Sequence, residues 1–316
     1  MEVGAGQEVV MRAVIVDPSK RLGFDIAEVG EPELADGQVL VSVEHVALNR
    51  GDINDARSGR LSQGSVLGSD VAGSVIRGVA DGSGPPVGAR VVALTGGAFA
   101  ERCAVDVQAL APVPAGVGLA EAAALPVAGL AALQALRAAD VGPRKRVLVT
   151  GASGGVGRFA VQLAADAGAH VVAAVGSTSK TEGLQDLGAD EVIVGLEDVV
   201  EPVDIVVDNV GGATLVAAWD LLAPGGSLQS VGWASGEPAV FRPYATIGAP
   251  KSLTSFLIGG DVGADLATLV SMVQAHRLAV DIGWRGSWTD IHGAADAMLG
   301  RSLRSKAILE VNRPGR

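Results

Sequence analysis

The chain has 316 residues, of which 48% are hydrophobic and 19% charged, and its formal net charge is −11. That length allows two domains with their own cores, and that composition excludes a disordered chain. The acidic balance argues against nucleic acid or an anionic membrane as a partner. A single cysteine, Cys103, excludes an intrachain disulfide framework and predicts a cytoplasmic setting.

Residues 1–10 contain Glu2 and Glu8 and no long apolar core, so no signal peptide is expected there. No uncharged apolar run reaches the roughly 18 residues of a membrane span. From residue 11 to about 119 the pattern is one of short strands, at 13–16, 39–46, 70–76, 90–94 and 99–105, broken by turns such as Asp81-Gly82-Ser83-Gly84-Pro85-Pro86. This predicts a strand-rich domain over 1–120, completed by 261–316. Over 121–260 strands alternate with helices, the strands falling at 146–150, 170–175, 191–194, 204–208, 227–231 and 253–258. Such alternation implies an α/β domain with a doubly wound parallel sheet of Rossmann type. The tail reads as helix over 265–276, strand, helix over 290–299 and strand over 306–311.

The most informative stretch runs from Val147 to Gly157. Val147-Leu148-Val149-Thr150 is a strand that turns through Gly151, Gly154, Gly155 and Gly157 into a helix, with Ala152, Gly154 and Gly157 spaced A-x-G-x-x-G. A dinucleotide needs this arrangement, because its pyrophosphate sits on the unpaired N–H groups of a helix N-terminus and only glycine lets the backbone come so close. Ser153, Gly154, Gly155, Val156 and Gly157 are therefore candidate cofactor-binding residues. An NAD site wants an acidic residue about 20 positions on, for the ribose 2′-hydroxyl. Here Gly176-Ser177-Thr178-Ser179-Lys180 stands at that strand end, and no Asp or Glu occurs between Asp166 and Glu182. Hydroxyls and one cation suit a 2′-phosphate, so Gly176, Ser177 and Lys180 predict NADPH. Two further strand ends, Asn209-Val210-Gly211 and Val231-Gly232, are expected near the nicotinamide.

A catalytic zinc needs about three Cys, His or carboxylate ligands and a structural zinc usually four. One cysteine and four scattered histidines (His45, His170, His276, His292) offer no such spacing, so no metal is expected. Cys103 sits in an alternating strand with no base nearby, which predicts a structural role.

These residues carry a resemblance. Asn49-Arg50-Gly51-Asp52, Leu67-Gly68-Ser69-Asp70-Val71-Ala72-Gly73, Gly97-Ala98-Phe99-Ala100-Glu101, Ala123 to Leu130, the Gly154–Gly157 turn, Leu187-Gly188-Ala189-Asp190, and Arg301 with Lys306-Ala307-Ile308-Leu309 resemble the zinc-independent quinone oxidoreductase branch of the medium-chain dehydrogenase/reductase superfamily. The resemblance implies that the strand-rich domain is a GroES-like catalytic domain. It implies NADPH as hydride donor and a quinone or other activated α,β-unsaturated carbonyl as small-molecule acceptor. Asn49 would contact the nicotinamide ribose region, and Asn49 and Asp52 would position cofactor and substrate from the loop that follows Asn49, with capping or bracing of that loop as the other role open to Asp52. An apolar strand over 253–258 at a sheet edge invites pairing; in relatives it pairs across a two-fold axis, so a homodimer is expected, with Phe256 and Leu257 near the nicotinamide. The chain also departs from the family. The loop after Asn49 has no tyrosine, Ala131 replaces a threonine, and Gly195 stands where a tyrosine is frequent. Tyr244, the one tyrosine, is the remaining candidate proton donor, with packing as its other role. Two alternatives stay open: a biosynthetic enoyl reductase acting on an acyl thioester, and an NADPH-binding sensor or structural protein with little turnover.

Overall fold

A computed structural model of the chain describes residues 9–312. The stretch on which the absence of a signal peptide was expected therefore falls, up to Glu8, outside the described residues.

In chain order the elements are β1 (Val10–Val16), β2 (Phe24–Gly30), β3 (Gln38–Leu48), α1 (Arg50–Ser58), β4 (Asp70–Arg77), β5 (Arg90–Leu94), β6 (Arg102–Asp106), β7 (Leu110–Pro112), α2 (Leu119–Ala123), α3 (Pro126–Ala138), β8 (Arg146–Thr150), α4 (Gly155–Asp166), β9 (His170–Val175), β10 (Glu191–Val194), β11 (Val203–Asp208), α5 (Gly212–Asp220), β12 (Leu222–Ser230), β13 (Ser252–Ser255), α6 (Val262–Gln274), β14 (Ile282–Ser287), α7 (Ile291–Leu299) and β15 (Lys306–Glu310). They divide into two compact units. The first comprises residues up to Pro126, Asp261–Val270 and the chain from Ile282 on; the second comprises Val127–Gly260 and Ser271–Asp281. The division thus falls six residues after the expected 120/121 point, and Ser271–Asp281 goes with the second unit rather than the first.

In the first unit a sheet runs β14-β15-β3-β4-β5-β7, with β6 also paired to β3 and β1 and β2 forming a separate antiparallel ribbon. β3 is long enough to pair β6 at one end, β15 at the other, and β4 along its length. Its inward residues Val39, Val41, Val43, Val46 and Leu48 enter a core with Phe24, Phe99 and the fully buried Trp288. The strand expected over 99–105 begins later, at Arg102: Phe99 bonds to Leu67 through its backbone and Ala100 bridges to Ala13.

The second unit is built on a six-stranded parallel sheet in the order β10-β9-β8-β11-β12-β13. Counting from β8, that is the 3-2-1-4-5-6 order of a Rossmann sheet. The central strands β8, β9 and β11 are almost continuously apolar and buried, as strands covered on both faces must be. α4 buries Phe159, Ala160, Val161, Leu163 and Ala164. The strand expected over 253–258 ends at Ser255, because its partner β12 ends at Ser230, the residue paired with Ser255, and no further ladder is available. No helix among the described residues is long and apolar enough to cross a membrane.

Candidate functional site

The strand order of the second unit reverses between β8 and β11, and ligands bind open α/β sheets at the carboxyl ends of the strands at such a point. Both strands end there in residues singled out by the sequence. After Thr150 the chain turns through Gly151, whose φ of +60° suits glycine. Gly154 then serves as N-cap of α4 without any side-chain cap. The first N–H groups of a helix have no intrahelical acceptor, so they are left to a ligand. A Cβ on Gly157 would lie 2.4 Å from the Gly151 carbonyl oxygen and 2.6 Å from Ala152 Cα, so the helix packs directly onto the turn.

Opposite stands Asp208, fully buried. The Thr150 hydroxyl donates to its Oδ1 at 2.5 Å and the Gly211 N–H to its Oδ2 at 2.9 Å. Burial pushes the Asp208 carboxyl up, and these hydrogen bonds pull against it. Asn209 donates from its side chain to the Thr150 carbonyl at 2.9 Å, while its buried Oδ1 has no hydrogen-bond partner among the described residues. The Val231 and Gly232 N–H groups both bond to the Asp208 carbonyl, and a Cβ on Gly232 would meet the Asn209 carbonyl at 2.9 Å. Val210 lies against Gly151. The structure thus gathers Gly151–Gly157, Asn209, Val210, Gly211, Val231 and Gly232 in one place. An open helix N-terminus, glycines that admit close approach and an orphaned buried acceptor are the features a dinucleotide uses.

At the end of β9, Gly176 is exposed, the Ser177 and Ser179 hydroxyls are 3.1 Å apart, and Ser177 precedes a short helical turn, Thr178–Lys180. Phe256 and Leu257 follow β13 outside any strand, Leu257 being 88% exposed. Tyr244 lies in the irregular segment before β13, 80% exposed and at φ +70°, so it does not pack into the core of its unit.

In the first unit the residues after Asn49 form a helix, α1, rather than the expected loop. Asn49 is its N-cap and Asp52 accepts the Asn49 backbone N–H at 2.8 Å, while Gly59 ends it in the left-handed conformation. An N-cap Asn with an acidic residue three positions on is a readable helix start. Asp52 is buried and also accepts the Ser69 hydroxyl at 3.0 Å. Burial first, and the neighbouring Asp70 carboxylate second, push Asp52 up to about 7, against those two hydrogen bonds. It is not an unpaired carboxylate facing a ligand but a brace of the helix start.

Two residues that sequence reasoning quoted without a role complete this cluster. The Lys306 ammonium, 3% exposed, lies 3.1 Å from Asp70 Oδ2 and donates to Asn49 Oδ1 at 2.6 Å. Asp70, fully buried, also accepts Asn49 Nδ2 at 2.9 Å. The signal that pointed to them was only the family-like stretches in which they stand. Cys103 is buried in β6, and burial pushes its thiol up to about 12, so it carries no thiolate at neutral pH.

Comparison with known proteins agrees with this architecture. The description "Alcohol dehydrogenase GroES-like domain" matches residues 35–128, and "Zinc-binding dehydrogenase" matches residues 155–275. The 2-methylene-furan-3-one reductase of Solanum lycopersicum is 34% identical over 258 residues, which is 75% of this chain and 66% of that protein, so the match spans just under two thirds of the relative's length. The solved quinone oxidoreductase from Coxiella burnetii superposes with a TM-score of 0.86 at 25% identity, over 96% of this chain and 100% of that one. A mycobacterial protein solved in complex with NADPH gives 0.87 at 27% identity, over 95% of this chain and 100% of its own. The chain belongs to the medium-chain dehydrogenase/reductase superfamily, in its quinone oxidoreductase branch. Among the described residues no group of three or more His, Cys, Asp or Glu side chains is placed to hold a metal ion.

Proposed function

We propose that the protein is an NADPH-dependent oxidoreductase that passes hydride to quinones or other α,β-unsaturated carbonyls without zinc, as a cytoplasmic homodimer. The observation that carries the reading is a glycine turn open for a pyrophosphate beside a strand end that offers hydroxyls and a lysine but no carboxylate. When bound, the cofactor supplies a hydride from its nicotinamide. The N–H groups of Ser153, Gly155, Val156 and Gly157 would hold its pyrophosphate, around Gly154, whose own N–H bonds to the Gly151 carbonyl. Ser177 and Lys180, beside Gly176, take its 2′-phosphate, and Asn209 Oδ1 accepts a hydroxyl. Val210, Gly211, Val231, Gly232, Phe256 and Leu257 flank the nicotinamide. Asn49 orients the reacting partners, and Asp52 keeps Asn49 at the head of α1. Without a Lewis acid the acceptor must already be electron-poor, as quinones and enones are. A reduced quinone oxygen can take its proton from water, so the reading does not depend on Tyr244.

The test is NADPH oxidation, followed by absorbance, across quinones, enones and enoyl thioesters, with and without a chelator. Turnover with quinones or enones that survives chelation is expected. Turnover confined to enoyl thioesters, or none at all, overturns the acceptor assignment. In titrations NADPH is expected to bind at least tenfold tighter than NADH, about 1.4 kcal/mol, and Lys180→Ala to weaken NADPH selectively. Equal affinities for the two cofactors would refute the 2′-phosphate site.

A further inference from the structure

The carboxamide of Asn49 is held at both ends. Its Nδ2 donates to the Ala47 carbonyl at 3.3 Å and to Asp70 Oδ2 at 2.9 Å, and its Oδ1 accepts from Lys306 Nζ at 2.6 Å. An ammonium can only donate and a carboxylate only accept, so this network admits one orientation of the amide and no flip. Both Nδ2 protons are used, and what remains free is one lone pair on Oδ1. The arrangement is set by strand register: Asp70 opens β4 opposite Ala47, and Lys306 opens β15 one residue before Ala307, which pairs with Leu48, the residue before Asn49. Lys306 itself is too buried to reach a substrate.

We propose that Lys306 is a positioning residue which, with Asp70, locks the Asn49 carboxamide in one orientation, so that Asn49 meets the reacting partners only as a hydrogen-bond acceptor. The group Asn49 receives is thus a donor, such as a hydroxyl or amide N–H, and not the carbonyl oxygen of the acceptor. This rests on the reading above that Asn49 belongs to the site. A buried cation and carboxylate spent on holding one half-buried amide is the physical reason to assign it more than a scaffold role. A scaffold alone is served as well by an apolar pair of the same volume.

The experiment is a cycle of variants read by single-turnover hydride transfer from NADPH to a quinone and by NADPH binding. Lys306→Met with Asp70→Asn removes both charges together, so that no lone charge is left buried. Both it and Asn49→Ala are expected to slow hydride transfer roughly tenfold, while NADPH affinity changes less than about threefold. Added to Asn49→Ala, the same pair of substitutions should slow it no further, because the route through Asn49 is already gone. Should that pair fail to fold, Lys306→Gln carries the same cycle with the same expected result. If Asn49→Ala alone transfers hydride at the wild-type rate, Asn49 has no place in the site and the functional reading falls with the proposal. If Asn49→Ala is slow but the Lys306 variant is not, or if the two losses multiply, the positioning role alone is overturned.

Discussion

Asp52 receives hydrogen bonds from the Asn49 N–H and the Ser69 hydroxyl in a fully enclosed position, and its proton affinity records the cost of that enclosure. Its ordinary value of 3.8 rises to about 7, so between those two values the native state holds a proton that the unfolded chain has released. Stability from this group is therefore complete at low pH, falls by no more than about 1.4 kcal/mol per pH unit as pH rises from about 4 to about 7, and levels off above. Asp52→Asn removes the titration and keeps one acceptor for the helix start. Urea unfolding over this pH range should show wild type losing stability relative to Asp52→Asn as pH rises. Parallel profiles for the two proteins would contradict the burial of an ionisable Asp52.

At the scale of elements, the turn between β8 and α4 combines an open helix N-terminus with a close approach of helix to strand. Gly157 has no positive φ, so the obstacle to any side chain there is purely steric, and the atoms it would strike are backbone and cannot swing away. Gly157→Ala is expected to cost about 1–3 kcal/mol of stability, as overpacking does. It should also weaken NADPH at least tenfold, because the N–H groups are displaced. Gly142→Ala is the control: a Cβ there meets nothing within 4 Å, φ is not positive, and the residue lies in the connection before β8. Thermal melts and cofactor titrations of the two variants that coincide would remove the argument from close packing. α1 follows the same logic. Asn49 and Asp52 were picked out for chemistry, yet their spacing is also a capping signal, and it is the capping that places Asn49 at the junction of β3 and α1.

For the whole molecule, the exposed edge of the second unit's sheet is the feature that asks for a partner. β13 is exposed at every residue, Leu253 to 44%, and among the described residues it pairs on one side only, with β12. An exposed edge strand presents unpaired backbone N–H and C=O groups to which a second copy can pair. Light scattering at micromolar concentration is expected to give a dimer, and Leu253→Lys, which puts a charge on that edge, to shift it towards monomer. A wild-type monomer under those conditions would remove the homodimer from the proposal.

The alternation of strands and helices after residue 120, the glycine turn and the strand end without a carboxylate were all legible in the sequence, because each is a local pattern of a few neighbouring residues. Tertiary structure decided what depended on residues far apart. Asn49, Asp70 and Lys306 lie 21 and 236 positions from one another in sequence, and only the registers of β3 with β4 and of β3 with β15 bring them within hydrogen-bond reach. The burial that raises Asp52, the end of β13 at Ser255 and the assignment of Ser271–Asp281 to the second unit are likewise outcomes of packing. No spacing rule encodes them, because side-chain periodicity reports which face of an element is buried but not which distant element covers it.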